Sequence, residues 1–166
     1  MSSRFLKVAC AIVLGFLIIT VLENLTPEIN EIEISLAGNT ASEFALKIAL
    51  LSDLHIGADS QSLKDIAMLW QEVLQTSPDV IMLAGDYVNN GRAATDFSRH
   101  REEVAAILGA TDNIPVIAVL GNHEEWSDPH LWAKAFHNAG IQLLENDVME
   151  LAQLSLCVRG FNDAFT

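Results

Sequence analysis

Four short apolar runs, at residues 46–51, 80–84, 116–120 and 141–144, punctuate the chain, and three stretches of helical periodicity separate them. Lys47 is the only charged interruption in these runs, and such a run has no polar face. It therefore suits a strand covered on both sides. From Ser62, with Asp65 completing a capping box, the residues Leu63, Ile66, Ala67, Trp70, Val73 and Leu74 fall on one helical face, and Pro78 stops that helix. A second helix is expected over residues 96–108, with Phe97, Val104, Ile107 and Leu108 inward. A third starts at Ser127 or Asp128 ahead of Pro129 and ends at Gly140. Strands alternating with helices predict an α/β fold: a mostly parallel sheet with right-handed crossovers and helices on its faces. Residues 148–151 and 154–158 read as two adjoining strands that open a further sheet region.

Residues 8–22 form an unbroken run of 15 apolar or small residues, with Arg4 and Lys7 before it. A bilayer-spanning helix needs about 20 residues and a signal-peptide core fewer, so length alone leaves both readings open. The sequence Val21-Leu22-Glu23-Asn24-Leu25 offers no small-x-small cleavage site, whereas Ser35-Leu36-Ala37 fits that pattern far downstream. An uncleaved single membrane-spanning helix is the expectation, lengthened by Phe5 and Leu6 past a snorkelling Lys7, with a cleaved signal as the alternative. Cys10 opens the run instead of following it, which excludes a lipoprotein. Basic residues before the run and Glu23, Glu28, Glu31 and Glu33 after it place the N-terminus in the cytoplasm and the domain outside the inner (plasma) membrane, in the periplasm or extracellular space. The organisation read from this is an anchor at 1–23, a linker and edge strand at 24–43 and a domain at 44–166. Alternation over residues 31–36 gives the edge strand.

The chain carries 9 Lys and Arg against 22 Asp and Glu. Setting aside Arg4, Lys7 and Glu23 leaves 7 against 21, a formal charge of −14 for the remainder. So acidic a surface repels a phosphate backbone, and no nucleic-acid partner is expected. Cys10 and Cys157 are the only cysteines, the first within the apolar run, so no intrachain disulfide is expected.

A polar cluster follows each of the first three buried-type strands: Ser52-Asp53-Leu54-His55, then Gly85-Asp86, then Gly121-Asn122-His123-Glu124. In an open parallel sheet all three lie at one carboxyl edge, where ligands bind. Asp53 and His55 can give an oxygen and a nitrogen to one ion, Asp86 can bridge two ions, and Asn122 adds an amide oxygen. Carboxylate, imidazole and amide together favour manganese, iron, zinc or magnesium without choosing among them. Gly85 and Gly121 let the backbone turn sharply and leave room for a phosphate.

In order and position, Asp53-Leu54-His55, Gly85-Asp86 and Gly121-Asn122-His123-Glu124 resemble the first three motifs of the calcineurin-like metallophosphoesterase family. Leu51-Ser52-Asp53-Leu54-His55, Gly85-Asp86-Tyr87-Val88 and the leading apolar run are more narrowly similar to the membrane-associated bacterial phosphodiesterases of that family. The resemblance covers residues 47–163, including Gly160-Phe161-Asn162-Asp163, which approximates a Gly-x-Asp-Asp turn. It implies the N-terminal part of a four-layer sandwich and two divalent metal ions, with Asp53 and His55 on the first, Asp86 bridging and Asn122 on the second. It also implies that His123 contacts the phosphate or protonates the leaving oxygen, and that water activated by the ions hydrolyses a phosphate ester, in particular a phosphodiester. For an anchored enzyme, lipid-linked phosphodiesters are one substrate class. The family continues with a lone His and a Gly-His-x-His motif, whereas this chain has no His after His137. By the family pattern the first ion lacks one ligand and the second two. The expectation is a C-terminally truncated chain, with a noncatalytic metal or phosphate-binding module, or an inactive product, as alternatives.

Other candidates read as structural. His100 lies beside Phe97 and Val104 on the apolar side of its helix and is expected in or near the core, while His130 and His137 are expected in solvent. Trp70 and Trp132 suit core positions; Trp126, just after the third motif, stands nearer the site. Glu124 reads as a lead into the next loop.

Overall fold

The computed structural model describes residues 29–34, 45–89 and 97–161. The chain divides into two compact units, Met1–Ser42 and Glu43–Thr166. Of the first, residues 29–34 are described and hold no secondary structure; Ile32 and Ile34 are 82% and 76% exposed. The edge strand expected from residue 31 is therefore not formed over 31–34. Alternation supplies a strand with an apolar face, but neither a partner for its N–H and C=O groups nor a surface to cover that face. Residues 8–22 lie outside the described residues. Among the described ones no helix is long and apolar enough to cross a membrane.

The second unit is an α/β domain. Its parallel sheet runs β1 (Ile48–Leu51), β2 (Val80–Leu83), β3 (Val116–Ala118) and β4 (Gln142–Leu143), in that spatial order. Leu51 pairs with Leu83, Leu83 with Ala118 and Ala118 with Leu143, so the four strands finish level. Each polar cluster therefore emerges at the same edge. Between the strands run α1 (Ser60–Gln75), α2 (Phe97–Leu108), the short α3 (Asn122–Ser127) and α4 (Pro129–Asn138). Strands β5 (Asp147–Leu151) and β6 (Leu156–Gly160) form an antiparallel hairpin across a 3-10 turn at Ala152–Leu154. The second of these strands was expected to begin at Leu154, which the turn takes up instead.

Helix α1 begins two residues before the expected Ser62. Asp59 is its N-cap and accepts from the backbone N–H groups of Gln61 and Ser62, both at 2.9 Å. The Ser62 hydroxyl donates to the same carboxylate, and these bonds hold it below the usual aspartate range. Pro129 opens α4 with Asp128 as cap, as the sequence indicates.

Strand alternation divides the apolar side chains between two clusters. Ile81, Leu83, Val116 and Ala118 pack with Ile66, Trp70 and Val73 of α1, Val104 and Leu108 of α2, and Trp132 and Phe136 of α4. Each large side chain buried there contributes about 1.5–3 kcal/mol. Val80, Ile117 and Leu144 pack instead with Leu151, and Met149, Leu156 and Val158 of the hairpin adjoin them. Helices α1, α2 and α4 thus gather on one face and the hairpin takes the other, rather than helices covering both. Strand β1 was expected to be covered on both sides, yet Ile48 is 43% and Leu50 70% exposed. Among the described strands it is one of the two at an edge, beyond the hairpin cluster, so only its Ala49 and Leu51 face packs.

Candidate metal centre

Past the level strand ends the first two loops run side by side. Asp53 N–H donates to Gly85 C=O at 3.1 Å, His55 N–H to Asp86 C=O at 3.1 Å and Ile56 N–H to Tyr87 C=O at 2.8 Å; a bridge between Ile56 and Val88 closes the stretch. This ladder brings His55 beside Asp86. It also demands unusual backbone: Asp53, His55 and Asp86 all have positive φ, at 55°, 44° and 56°. Residues in this left-handed region cost about 1–3 kcal/mol each and persist where the surroundings fix them.

The third loop is pinned to the second. Gly121 passes so close to Asp86 that a Cβ added to it would lie 2.6 Å from the Asp86 nitrogen and 2.2 Å from Oδ1. Gly85, at φ 92°, faces the Gly121 backbone at 2.6 Å by the same measure. Only two glycines permit this approach.

Glu124 locks the arrangement. Its side chain is fully buried, and it accepts from Asp86 N–H at 2.9 Å, Tyr87 N–H at 2.9 Å and Gly121 N–H at 3.1 Å. Burial raises its carboxyl above the usual range, while the backbone donors pull the other way. Read as a loop residue, Glu124 is instead the strut between two motifs. The spacing to Gly121, where a glutamate three residues on returns to the N-cap N–H as in the glutamate half of a capping box, was the available signal. It belongs to α3, a helix that the sequence reading missed because six residues cannot display a periodic face.

The donor atoms of His55, Asp86 and His123 come together, all within 4.8 Å of one another. His123 Nδ1 lies 2.7 Å from the Val88 carbonyl oxygen. A carbonyl only accepts, so Nδ1 carries the proton and Nε2 of the neutral ring keeps a free lone pair. His123 N–H donates to Asp86 Oδ1 at 3.2 Å, and the His55 ring stands edge-on to the His123 ring at 4.8 Å. Trp126 stacks on the other side of His123 at 5.4 Å. One carboxylate and two imidazoles at this spacing suit a single divalent cation such as manganese, iron or zinc.

Asp53 and Asn122 fall outside this trio and, with Asp86, Gly121 and Phe161, line a cleft of about 240 Å³. Asp86 is common to the trio and the cleft, the position a bridging carboxylate needs. Asp53 accepts from the Ser52 hydroxyl, and its Oδ1 is 3.7 Å from His55 Nε2. The sequence set His123 beside the ligands as the proton donor; the structure brings its ring near the His55 and Asp86 donor atoms, and with Nδ1 on Val88 a single nitrogen, Nε2, is left for either an ion or a leaving oxygen. His100 is 5% exposed, in the core as expected, and His130 and His137 are exposed. Trp70 and Trp132 are buried, and Cys157 is a free, exposed thiol.

Comparison with known proteins bears on the family of this chain. The family model for calcineurin-like phosphoesterases matches residues 46–163. Two curated relatives are each called transmembrane protein with metallophosphoesterase domain. The one from Danio rerio is 24% identical over 143 residues, 82% of this chain and 31% of its own length. The one from Bos taurus is 26% identical over 146 residues, 82% of this chain and 32% of its own length. The chain thus spans about a third of the length of these vertebrate relatives.

Proposed function

The chain belongs to the calcineurin-like phosphoesterase family, and from that premise we propose that it hydrolyses phosphate esters, phosphodiesters in particular, with divalent metal. The observation that carries the proposal is the convergence of His55, Asp86 and His123 donor atoms within 4.8 Å at the carboxyl edge of a parallel sheet. In this reading Asp53, His55 and Asp86 would hold one ion, and Asp86 and Asn122 would hold a second. When bound, such ions supply neutralisation of phosphoryl charge and a water of lowered pKa.

The protein's own groups do the rest. Glu124 fixes the backbone of Asp86 and Gly121, so the carboxylate is oriented before substrate arrives. The glycine pair lets the second and third loops close on each other, which holds the Asp86 carboxylate at the cleft beside Asn122. His123 keeps its Nδ1 proton on Val88 and offers Nε2, which in the protonated ring donates to the departing oxygen and returns to a lone pair.

We also propose that the protein is membrane-associated, with lipid-linked phosphodiesters within its reach. The apolar run at residues 8–22 and the names of the two relatives support this. The narrower likeness to bacterial membrane-associated phosphodiesterases stands as part of the same proposal.

The test is turnover of bis-p-nitrophenyl phosphate with manganese, assayed in both the membrane and the soluble fraction. Asp86→Asn should lower kcat/KM by at least about a hundredfold, and activity should sediment with membranes. Unchanged turnover in the variant would overturn the mechanism. Stoichiometric metal without hydrolysis in the unmodified protein would instead establish a noncatalytic metal-binding module.

A further inference from the structure

The three tryptophans of this chain divide sharply. Trp70 and Trp132 are 1% and 0% exposed, and each places its indole N–H on a partner, the Ala110 carbonyl at 3.0 Å and the Ser127 hydroxyl at 2.9 Å. Trp126 is 54% exposed. Burial does not account for a side chain that leaves half of so large an apolar surface in water.

Among the groups that Trp126 touches is the imidazole of His123. The two rings lie 5.4 Å apart at 29°, while His55 meets the same imidazole edge-on at 76°. With Nδ1 held by Val88, the His123 ring is fixed by a hydrogen bond and two aromatic neighbours. Any leaving oxygen that takes a proton from His123 must meet Nε2. The indole stacked on the same ring is an exposed apolar surface within reach of the organic group on that oxygen. The formal charge of −13 opposes leaving groups that bring a further negative charge.

We propose that Trp126 is a specificity-determining residue whose exposed indole is the platform for a flat, apolar leaving group. This rests on the phosphoester reading above and narrows its substrate class to esters of aromatic or otherwise planar alcohols. An aromatic pair of this kind favours a stacked ligand by up to about tenfold.

The test compares binding of phenylphosphonate and methylphosphonate to the manganese-loaded full chain by calorimetry, which needs no turnover. The unmodified protein should bind the phenyl compound about tenfold more tightly. Trp126→Ala should erase that preference through the phenyl compound alone, and Trp126→Phe should keep most of it. With bis-p-nitrophenyl phosphate the Ala variant should raise KM by more than it lowers kcat. Equal weakening of both phosphonates would make Trp126 a mere support for His123 and overturn the proposal, as would an unchanged preference or no binding of either compound. Preference for phenylphosphonate without ester turnover would support the platform while refuting the hydrolase, so the two readings fail separately.

Discussion

The centre and the flank of the sheet edge are built differently. At the centre, where β2 and β3 end, Asp86, Tyr87 and Gly121 all donate to one fully buried carboxylate, and Tyr87 adds hydroxyl bonds to the Leu83 and Val119 carbonyls. At the flank, where β1 ends, Asp53 and His55 have side chains 65% and 39% exposed. That loop is tied to the centre by backbone bonds to Gly85, Asp86 and Tyr87. The centre is finished by folding, whereas the flank presents donors that a cation would draw together. A metal site can thus be half preorganised, with rigidity placed on the residue common to the trio and the cleft.

Removing the central strut should have the largest effect. Glu124→Ala leaves three backbone N–H groups without their acceptor, at a cost of about 3 kcal/mol. For a domain of this size that is a fall in Tm of about 10 °C, measurable by circular dichroism. Glu124→Gln keeps the shape but turns an amide NH2 toward one donor, and should lose about half as much. A fall below about 3 °C in the Ala variant would show that the centre does not depend on this residue.

Next in size is the glycine contact. Gly121 has φ −97°, which any residue adopts, so Gly121→Ala tests steric closeness alone. The new Cβ would press on the Asp86 backbone nitrogen and force the two loops apart, costing about 1–3 kcal/mol. Urea unfolding gives the value, and manganese affinity should fall with it because Asp86 moves. A variant of native stability and affinity would mean the loops part freely, contrary to a rigid centre.

The same contrast explains what the sequence could disclose. Asp53, His55, Asp86, Asn122 and His123 are polar residues directly after apolar runs, and strand ends in a parallel sheet share an edge, so their company follows from periodicity. Glu124 has no such signature, because a glutamate in a polar stretch reads as surface and its burial depends on acceptor geometry across 37 and 38 residues. Trp126 was legible as near the site but not as a ring stacked on His123. Along β1 the apolar run misled, since Ile48 and Leu50 read as covered while edge position left them exposed. Periodicity reports which residues avoid water on average; which strand lies at an edge is a property of the assembled sheet.

The flank gives the smallest effect on the metal-free fold and the sharpest test of the division. His55 is exposed and, among the described residues, contributes no side-chain hydrogen bond to the core, so His55→Ala should change stability by less than about 0.5 kcal/mol without metal. With manganese at about a hundred times its dissociation constant, the unmodified protein should gain about 2.7 kcal/mol by linkage. Loss of one of three donors should weaken binding enough to remove most of that gain. Thermal unfolding with and without manganese reads both numbers. Equal metal stabilisation in the variant would place the ion away from His55. A large loss of metal-free stability would mean that the flank, like the centre, is finished before any cation arrives.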